Sequence, residues 1–259
     1  MKILKQSIQY AANLTGYEIS WAGKKRVPAI PVEFDEAERS LFSLVKDNEM
    51  TMTSSERMFA TMMACKHVVE CDIDGDFVEC GVWRGGNSIL AAGEFRHRNS
   101  DKVVHLFDTF EGMTAPTEFD RTAASNVSAK EKFRETQRGE NSDWCYSAVD
   151  EVKNNFAKAG LLSDKVKFVK GDVLKTLEDE SNLPSKISVL RLDTDWYEST
   201  RKELEVLYPR LSVGGVLMID DYGHWAGAKK AVDEYFGAHG NRPFLQYIDR
   251  DGRIGIKMH

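Results

Sequence analysis

The sequence predicts an α/β fold with a mostly parallel sheet and helices on both of its faces. Short apolar runs recur along residues 77–219, and most of them precede a segment whose apolar residues have helical spacing. This alternation is typical of parallel strands joined by right-handed crossovers. Near the end, Asp251-Gly252 separates two strand-like runs, 244–249 and 253–258, so we expect a terminal hairpin with antiparallel strands.

The N-terminal part has helical signals only. Residues 35–46 have the apolar spacing of a helix, after an irregular start. Thr53, with Glu56 three residues later, forms a capping-box pattern and predicts a second helix that runs to about residue 70. We therefore expect an N-terminal extension over residues 1–50 and a main domain over residues 51–259.

Five strands and their helices follow in the main domain. The predicted strands are 77–82, 103–107, 166–169, 187–192 and 215–219. The predicted helices are 87–95, 173–178, 199–208 and 226–236. Residues 110–150 interrupt the pattern, and this polar insert is either a lid over a site or a solvated surface excursion.

Composition argues against several function classes. The chain has 259 residues and a net charge of −6, and this mild acidic balance argues against nucleic acid or an anionic membrane as a partner. It lacks a signal-peptide core and any run of about 18 apolar residues, so we expect a cytoplasmic protein without a membrane span. Its four cysteines lack zinc-finger spacing and are expected to be reduced.

Two acidic clusters follow neighbouring strand runs. Asp193-Thr194-Asp195 comes directly after run 187–192, and Asp220-Asp221 comes after run 215–219. If the two strands are parallel neighbours, these carboxylates crowd together at the edge where open α/β sheets bind ligands. Crowded carboxylates repel one another unless a cation or proton lies between them, and oxygen ligands favour a hard divalent ion such as Mg²⁺. The clusters therefore predict a metal site in an α/β enzyme.

The first strand ends in a glycine-rich turn that follows Glu79. Gly81 and Gly85 allow the backbone to approach a ligand, and the helix behind them, which includes Ser88, offers free N–H groups to an anion. The turn lacks the dinucleotide spacing G-x-G-x-x-G, which weakens an NAD-binding interpretation.

The second and third strands each end in an aspartate. Asp108 can accept hydrogen bonds from ribose hydroxyls, or it can be an ordinary loop or capping carboxylate. Asp172 can accept a hydrogen bond from an adenine amine, cap the helix that begins at Val173, or do both.

Together these strand ends resemble those of the class I S-adenosylmethionine-dependent methyltransferases. The segments V-E-C-G-V-W-R-G-G-N-S, L-F-D-T-F-E-G-M, L-R-L-D-T-D-W-Y-E-S-T and G-G-V-L-M-I-D-D-Y are similar to the macrocin O-methyltransferase (TylF-type) family. The resemblance covers about residues 50–240. It implies a Rossmann-like, seven-stranded fold and Mg²⁺-dependent transfer of a methyl group from S-adenosylmethionine to a sugar hydroxyl. The acceptor would be a glycosylated natural product or a polysaccharide, and the enzyme would be a homodimer.

The resemblance also assigns roles to individual residues. Asp193, Asp220 and Asp221 would bind the metal, and Asp195 would be the general base. The residues expected at the cofactor are Thr53, Ser54, Glu79, Gly81, Gly85, Ser88, Asp108 and Asp172.

Among these cofactor residues, Glu79 and Gly81 would meet the methionyl amino group. Asp108 would hold the ribose, and Asp172 the adenine amine. Thr53 and Ser54 match a segment that closes over the cofactor in the family.

Alternatives stay open at several positions. Asp195 could instead support the site from behind or cap the following helix. Tyr197, Tyr222 and Trp225 are expected to line a sugar pocket, because aromatic rings stack on sugar faces, and His224 is expected to contact the substrate. The three aromatic residues could equally pack at strand–helix turns, and His224 could be a second base or a surface residue.

Three other functions compete with sugar methylation. A catechol-like or other vicinal-diol acceptor would use the same metal chemistry, although Asp-x-Asp near the first ligand favours a sugar. A cofactor-binding protein without catalysis is disfavoured by the intact carboxylates. An NAD-dependent oxidoreductase is disfavoured by the missing glycine pattern.

Overall fold

The computed structural model describes residues 30–259, and a seven-stranded sheet forms their core. The strands of the chain are β1 (Asp76–Cys80), β2 (Val104–Asp108), β3 (Gln137–Arg138), β4 (Asn141–Ser142), β5 (Val166–Lys170), β6 (Ile187–Leu192), β7 (Leu211–Ile219), β8 (Gln246–Tyr247) and β9 (Arg253–Ile256). The helices are α1 (Glu36–Asp47), α2 (Ser55–Glu70), α3 (Gly86–His97), α4 (Ala129–Glu135), α5 (Val149–Lys158), α6 (Val173–Thr176), α7 (Tyr197–Leu207) and α8 (Ala226–His239). Single 3₁₀ turns lie at Glu180–Asn182 and Tyr208–Arg210.

The sheet has the strand order β5-β2-β1-β6-β7-β9-β8. The first five strands in this order are parallel, while β9 runs antiparallel to both β7 and β8. The predicted fold class is therefore confirmed, including the terminal hairpin. Leu192 pairs with Ile219 and with Cys80, so the residues that follow β1, β6 and β7 meet at one edge.

The central strands are buried because helices cover both faces of the sheet. Val78 in β1 and Leu190 in β6 are fully buried, and each such side chain contributes about 1.5–3 kcal/mol of transfer free energy. Arg191 departs from this apolar pattern, since it is charged and its side chain has no exposed surface.

The start of α2 differs from the prediction by one residue. Ser54, not Thr53, is the N-cap, because its hydroxyl accepts the Arg57 backbone N–H at 3.2 Å. The Thr53 hydroxyl instead lies 2.9 Å from the hydroxyl of Thr51.

The boundary at residue 50 between an extension and a main domain stays a prediction. Residues Glu33–His259 form one compact unit, which includes α1. The reason is close packing of α1 on α3, where a Cβ on Gly93 would come within 2.2 Å of Leu41 Cδ2. The part of the predicted extension before residue 30 lies outside the described residues.

The insert at residues 110–150 contains α4 and the two-stranded ribbon of β3 and β4. It is tied to the loops that follow β6 and β7. The Trp196 indole donates to Thr114 O at 3.0 Å, and the Ala123 N–H donates to His224 O at 2.8 Å. The insert therefore packs against the edge of the sheet that carries the acidic clusters.

Two local predictions were inaccurate. Helix α5 was not predicted, and β8 is shorter than the predicted strand 244–249. Asp249 ends that strand because its Oδ1 accepts the backbone N–H groups of Asp251 at 2.9 Å and Gly252 at 2.8 Å, which closes the turn.

Across residues 30–259, the helices are too short or too polar to cross a bilayer.

Candidate active site

Two adjoining clefts open at the carboxyl edge of the parallel strands. The larger, named here the acidic cleft, has a volume of about 380 Å³ and is lined by both acidic clusters through Asp193, Asp195, Asp220 and Asp221. The other, named here the small cleft, has a volume of about 60 Å³ and is bordered by the strand-end residues Gly81, Asp108 and Asp172. Asp193 borders both clefts, so a ligand in one would lie beside a ligand in the other.

Arg191 links the strand ends electrostatically. Its Nη1 donates to Glu79 Oε1 at 2.9 Å and to Asp193 Oδ2 at 2.6 Å, and its Nη2 donates to Asp220 Oδ1 at 2.5 Å. Burial lowers the pKa of Arg191, but the attraction of these carboxylates outweighs it and keeps the pKa above its ordinary value. A permanent buried cation therefore joins β1 to both acidic clusters.

The carboxylates of Asp193, Asp195 and Asp221 are crowded, with ligand oxygens within 4.8 Å of one another. Burial raises the pKa of Asp195 to about 7 and raises the pKa values of Asp193 and Asp221 well above normal, and repulsion among the carboxylates adds to this. Asp221 Oδ2 is buried and has no hydrogen-bond partner in the described part of the chain. The group therefore has an unmet need for a cation or a proton.

Asp220 differs from its three neighbours because two arginines already satisfy it. Its Oδ1 accepts from Arg191, and its Oδ2 accepts from Arg57 Nη1 in the first turn of α2. Arg57 is itself held by Asp249 at 2.8 Å and Asp251 at 3.3 Å, both in the turn between β8 and β9. The terminal hairpin is thus part of the site.

A buried polar cluster supports the loop of the first acidic cluster. The Thr194 hydroxyl lies 2.8 Å from Glu203 Oε1 and 2.8 Å from the Ser199 hydroxyl. Glu203 has no exposed surface, and burial raises its pKa to about 8. With Thr194 held inward, Asp193 and Asp195 on either side of it border the acidic cleft.

The end of β1 brings Glu79 into the acidic cleft. Burial raises the pKa of Glu79 to about 7, against the opposing effects of Arg191 and of the hydrogen bond from the Ser88 hydroxyl. Ser88 is fully buried behind Glu79 and borders neither cleft. Gly81 has a φ of 83°, and a Cβ there would lie 1.9 Å from Asp193 O, so only glycine lets β1 and β6 end this close together.

Asp108 is braced by the backbone at the end of β2. Its Oδ2 accepts the N–H groups of Val82 at 2.6 Å and Trp83 at 3.2 Å, and its Oδ1 accepts that of Phe110 at 2.7 Å. Burial raises the pKa of Asp108, while these hydrogen bonds oppose the shift. Asp108 therefore shapes the turn after β1 and also borders the small cleft.

Asp172 caps α6, which is one of the predicted alternatives. Its Oδ1 accepts the Leu174 backbone N–H at 3.0 Å. It also borders the small cleft, so capping leaves it available to a ligand.

Aromatic residues and a lysine form the outer wall of the acidic cleft. Trp144, from the insert, lies 5.9 Å from Trp225 between ring centroids, and Lys132 Nζ lies 4.3 Å from the centre of the Trp144 ring. His224 borders the same cleft, with its ring 4.9 Å from Trp225. This wall gives flat apolar surfaces beside the carboxylates.

The two tyrosines predicted to bind a sugar lie outside both clefts. The Tyr197 hydroxyl donates to Glu234 at 2.7 Å, and the Tyr222 hydroxyl donates to Asp233 at 2.8 Å. Both partners are on α8, so the helix draws the hydroxyls away from the cleft. Of the four predicted acceptor residues, His224 and Trp225 border the acidic cleft.

Of the remaining predicted cofactor residues, Thr53 borders a cleft, whereas Ser54 and Gly85 border neither cleft. Thr53 borders the acidic cleft and accepts from Asn87 Nδ2 at 3.3 Å. Ser54 borders neither cleft, and its hydroxyl donates to Asp249 at 2.5 Å. Gly85 caps α3 with a φ of 86°, and a Cβ there would lie 2.8 Å from Val152 on α5, so its main constraint is packing.

Sequence reasoning missed several residues of this site. Arg191 had a signal, as the charged residue inside an apolar strand run. Arg57 and Asp251 had none, because they meet only through a contact across 194 residues of sequence. Lys132 and Trp144 belong to the insert, where no local pattern indicates that they line the cleft.

Two features away from this edge do not join the site. A groove of about 440 Å³ lies at the amino ends of β2 and β5, near Arg96 and Lys165. Asp35, Glu38 and His97 also bring ligand atoms within 4.8 Å of one another. Their atoms are engaged in the α1 capping box and in ion pairs, which explains this cluster without a metal.

Comparisons with known proteins identify the family. The family model described as macrocin-O-methyltransferase (TylF) matches residues 10–254. Demethyldecarbamoylnovobiocin O-methyltransferase of Streptomyces niveus is 36% identical over 209 residues, covering 79% of this chain and 74% of that protein. The 8-demethyl-8-(2,3-dimethoxy-alpha-L-rhamnosyl)-tetracenomycin-C 4'-O-methyltransferase of Streptomyces olivaceus is 35% identical over 203 residues, covering 78% and 73%.

A solved structure has the same fold. The O-methyltransferase NovP superposes with a TM-score of 0.69 at 32% sequence identity, over 81% of this chain and 82% of that one. The family match, the relatives and the class I methyltransferase sheet agree with one another. The chain belongs to the macrocin-O-methyltransferase family and is an S-adenosylmethionine-dependent O-methyltransferase.

Proposed function

We propose that the protein methylates a sugar hydroxyl of a glycosylated natural product or polysaccharide, with a divalent cation, Mg²⁺, in the acidic cleft. The observation that carries this proposal is the convergence of crowded, partly unpartnered carboxylates with an aromatic wall in one cleft. The name of the tetracenomycin relative, which places a rhamnosyl group on its substrate, supports a sugar acceptor.

The donor set fits a divalent cation. Carboxylate oxygens suit Mg²⁺, and the unpartnered Asp221 Oδ2 marks a place where positive charge is needed. We propose Asp193, Asp220 and Asp221 as the ligands. The two arginines that donate to Asp220 would then share its carboxylate with the cation. A bound cation would lower the pKa of the acceptor hydroxyl and fix its orientation.

The cofactor residues also fit their predicted ligand. In this proposal Glu79 receives the methionyl amino group beside Gly81, Asp108 receives ribose hydroxyls, and Asp172 receives the adenine amine. Thr53, from the segment before α2, covers the cofactor beside Asn87. Ser54, Gly85 and Ser88 act indirectly, because each supports a neighbour without bordering a cleft.

Asp195 is the proposed general base. It borders the acidic cleft beside the proposed ligand Asp193, and a carboxylate placed there can act as a general base. Asp195 would take the proton of the acceptor hydroxyl as its oxygen bonds the methyl carbon, whose bond to sulfur breaks and leaves S-adenosylhomocysteine. Trp144 and Trp225 would exclude water and position the sugar ring, and positioning is expected to supply much of the acceleration.

Methyl transfer to a panel of acceptors tests this proposal. The purified enzyme would be given S-adenosylmethionine and Mg²⁺ with deoxysugar glycosides, a polysaccharide or a catechol, and release of S-adenosylhomocysteine would be measured. We expect methylation of a glycoside that EDTA abolishes and Mg²⁺ restores. If the enzyme preferred a catechol to every glycoside, the proposed sugar acceptor would be wrong. If it kept full activity in EDTA, the proposed role of the cation would be wrong. A homodimer and a cytoplasmic location stay predictions.

A further inference from the structure

Arg57, which lines the acidic cleft, pairs with three carboxylates, as Arg191 does. Its Nε donates to Asp249 at 2.8 Å, its Nη2 to Asp251 at 3.3 Å, and its Nη1 to Asp220. The side chain is 13% exposed and lines the cleft wall. Each nitrogen of the guanidinium therefore faces a carboxylate.

The turn between β8 and β9 fixes this guanidinium in place. Asp249 accepts two backbone N–H groups of its own turn through Oδ1, while its Oδ2 accepts from Ser54 and Arg57. A Cβ on Gly252 would lie 3.2 Å from Arg57 Cδ, so the turn also packs on the aliphatic stem. The turn thus holds Arg57 from behind, on the side away from Asp220.

This placement gives Arg57 a charge effect on the whole cleft. Asp220 is adjacent in sequence to Asp221, whose free oxygen marks the cation-seeking part of the cluster. A fixed positive charge beside Asp220 relieves repulsion among the carboxylates, and it repels a divalent cation that approaches the same groups. Burial limits screening by water and salt, so the effect is large for a single side chain.

We propose that Arg57 is a built-in counter-cation of Asp220 that weakens and thereby tunes the affinity of the acidic cleft for a divalent cation. It is a positioning residue, because it acts on the cation through Asp220. This inference rests on the cation part of the proposed function. Alternatively, Arg57 only orients Asp220 as a ligand. Removal of the arginine would then weaken the binding of the cation, whereas our proposal predicts that it strengthens the binding.

Calorimetric titration of the full chain with Mn²⁺, without acceptor, separates the two possibilities. The wild type would be compared with Arg57→Gln, which removes the charge, and with Arg57→Lys, which keeps it. Arg84→Gln is the matched control, since Arg84 is an arginine near the cleft that pairs with Glu151 and touches none of its carboxylates. We expect Arg57→Gln to bind Mn²⁺ about tenfold or more tightly than the wild type, with the other two variants within about threefold of it.

Unchanged or weaker Mn²⁺ binding by Arg57→Gln would overturn the inference. If circular dichroism indicates that this variant is unfolded, Arg57→Met makes the same comparison, because methionine fills the space of the stem. The wild-type titration distinguishes failure of the cation proposal from failure of this inference. If neither the wild type nor any variant binds Mn²⁺, both are wrong. If the wild type binds Mn²⁺ and Arg57→Gln binds it with the same affinity, this inference alone is wrong. If Arg57→Gln binds Mn²⁺ and the other proteins do not, the result supports this inference.

Discussion

In the small cleft, Asp108 accepts hydrogen bonds from three backbone N–H groups, whereas in the acidic cleft Asp221 keeps a buried oxygen without a partner in residues 30–259. The first carboxylate is satisfied by the fold itself. The second is left to a ligand, and its pKa is raised well above normal. Within one sheet edge, the fold therefore pairs some carboxylates with its own backbone and leaves others in need of a cation or a proton.

The largest expected effect comes from Asp195 in the acidic half. We expect Asp195→Asn to lower kcat by roughly 10²–10⁴-fold, because an amide cannot accept the acceptor proton. Affinity for S-adenosylhomocysteine should stay within about threefold, since Asp195 does not border the small cleft. Steady-state kinetics and calorimetry check both parts, and an activity within about tenfold of the wild type would remove Asp195 as the base.

Glu203 beneath the acidic half should make stability depend on pH. Burial raises its pKa from 4.5 to about 8, so the folded protein holds this proton more tightly than the unfolded chain. The resulting stabilisation is fully present below about pH 4.5 and is lost as the pH rises through about 8. As the pH rises from about 5 to about 8, the unfolding free energy of the wild type should therefore fall by up to a few kcal/mol relative to that of Glu203→Gln. Urea unfolding at several pH values measures this, and parallel pH curves for the two proteins would contradict it.

The small cleft offers a paired test on its two aspartates. Asp108→Asn places an amide N–H₂ against backbone N–H donors, so we expect a loss of about 1–3 kcal/mol in unfolding free energy. Asp172→Asn should cost only a few tenths of a kcal/mol, because asparagine caps helices about as well as aspartate. Equal costs for the two substitutions in urea would mean that the backbone contacts of Asp108 contribute little.

The smallest effect tests where α2 begins. Ser54→Ala should lower the unfolding free energy by about 0.5–2 kcal/mol, since it removes the N-cap. Thr53→Ala should change it by less, because Thr53 bonds side chains and not the first turn of the helix. A larger loss for Thr53→Ala in thermal unfolding would restore the capping position predicted from sequence.

Much of the sheet edge could be predicted from sequence because parallel strands end together. Asp193 and Asp220 are neighbours for this reason, since Leu192 and Ile219 are paired in register. Short patterns also predicted the terminal hairpin and the capping role of Asp172. These features depend on local periodicity and on the rule that ligands bind at the carboxyl ends of strands.

The contacts that sequence could not predict depend on three-dimensional packing. Arg57 reaches Asp249 across 192 residues, and no local pattern encodes that approach. The directions of the Tyr197 and Tyr222 hydroxyls depend on carboxylates of α8, which lies further along the chain. The choice of Ser54 over Thr53 as cap is a shift of one residue that tertiary contacts with Asp249 help to decide.

We propose that the crowded carboxylates that follow β6 and β7 hold a divalent cation beside the small cleft. Anomalous diffraction from crystals grown with Mn²⁺ and S-adenosylhomocysteine tests it most directly. We predict one strong Mn²⁺ peak in the acidic cleft, bordered by Asp193 and Asp221, with S-adenosylhomocysteine next to Glu79 and Asp108. An acidic cleft without a peak, or a peak only at Asp35, Glu38 and His97, would contradict the claim.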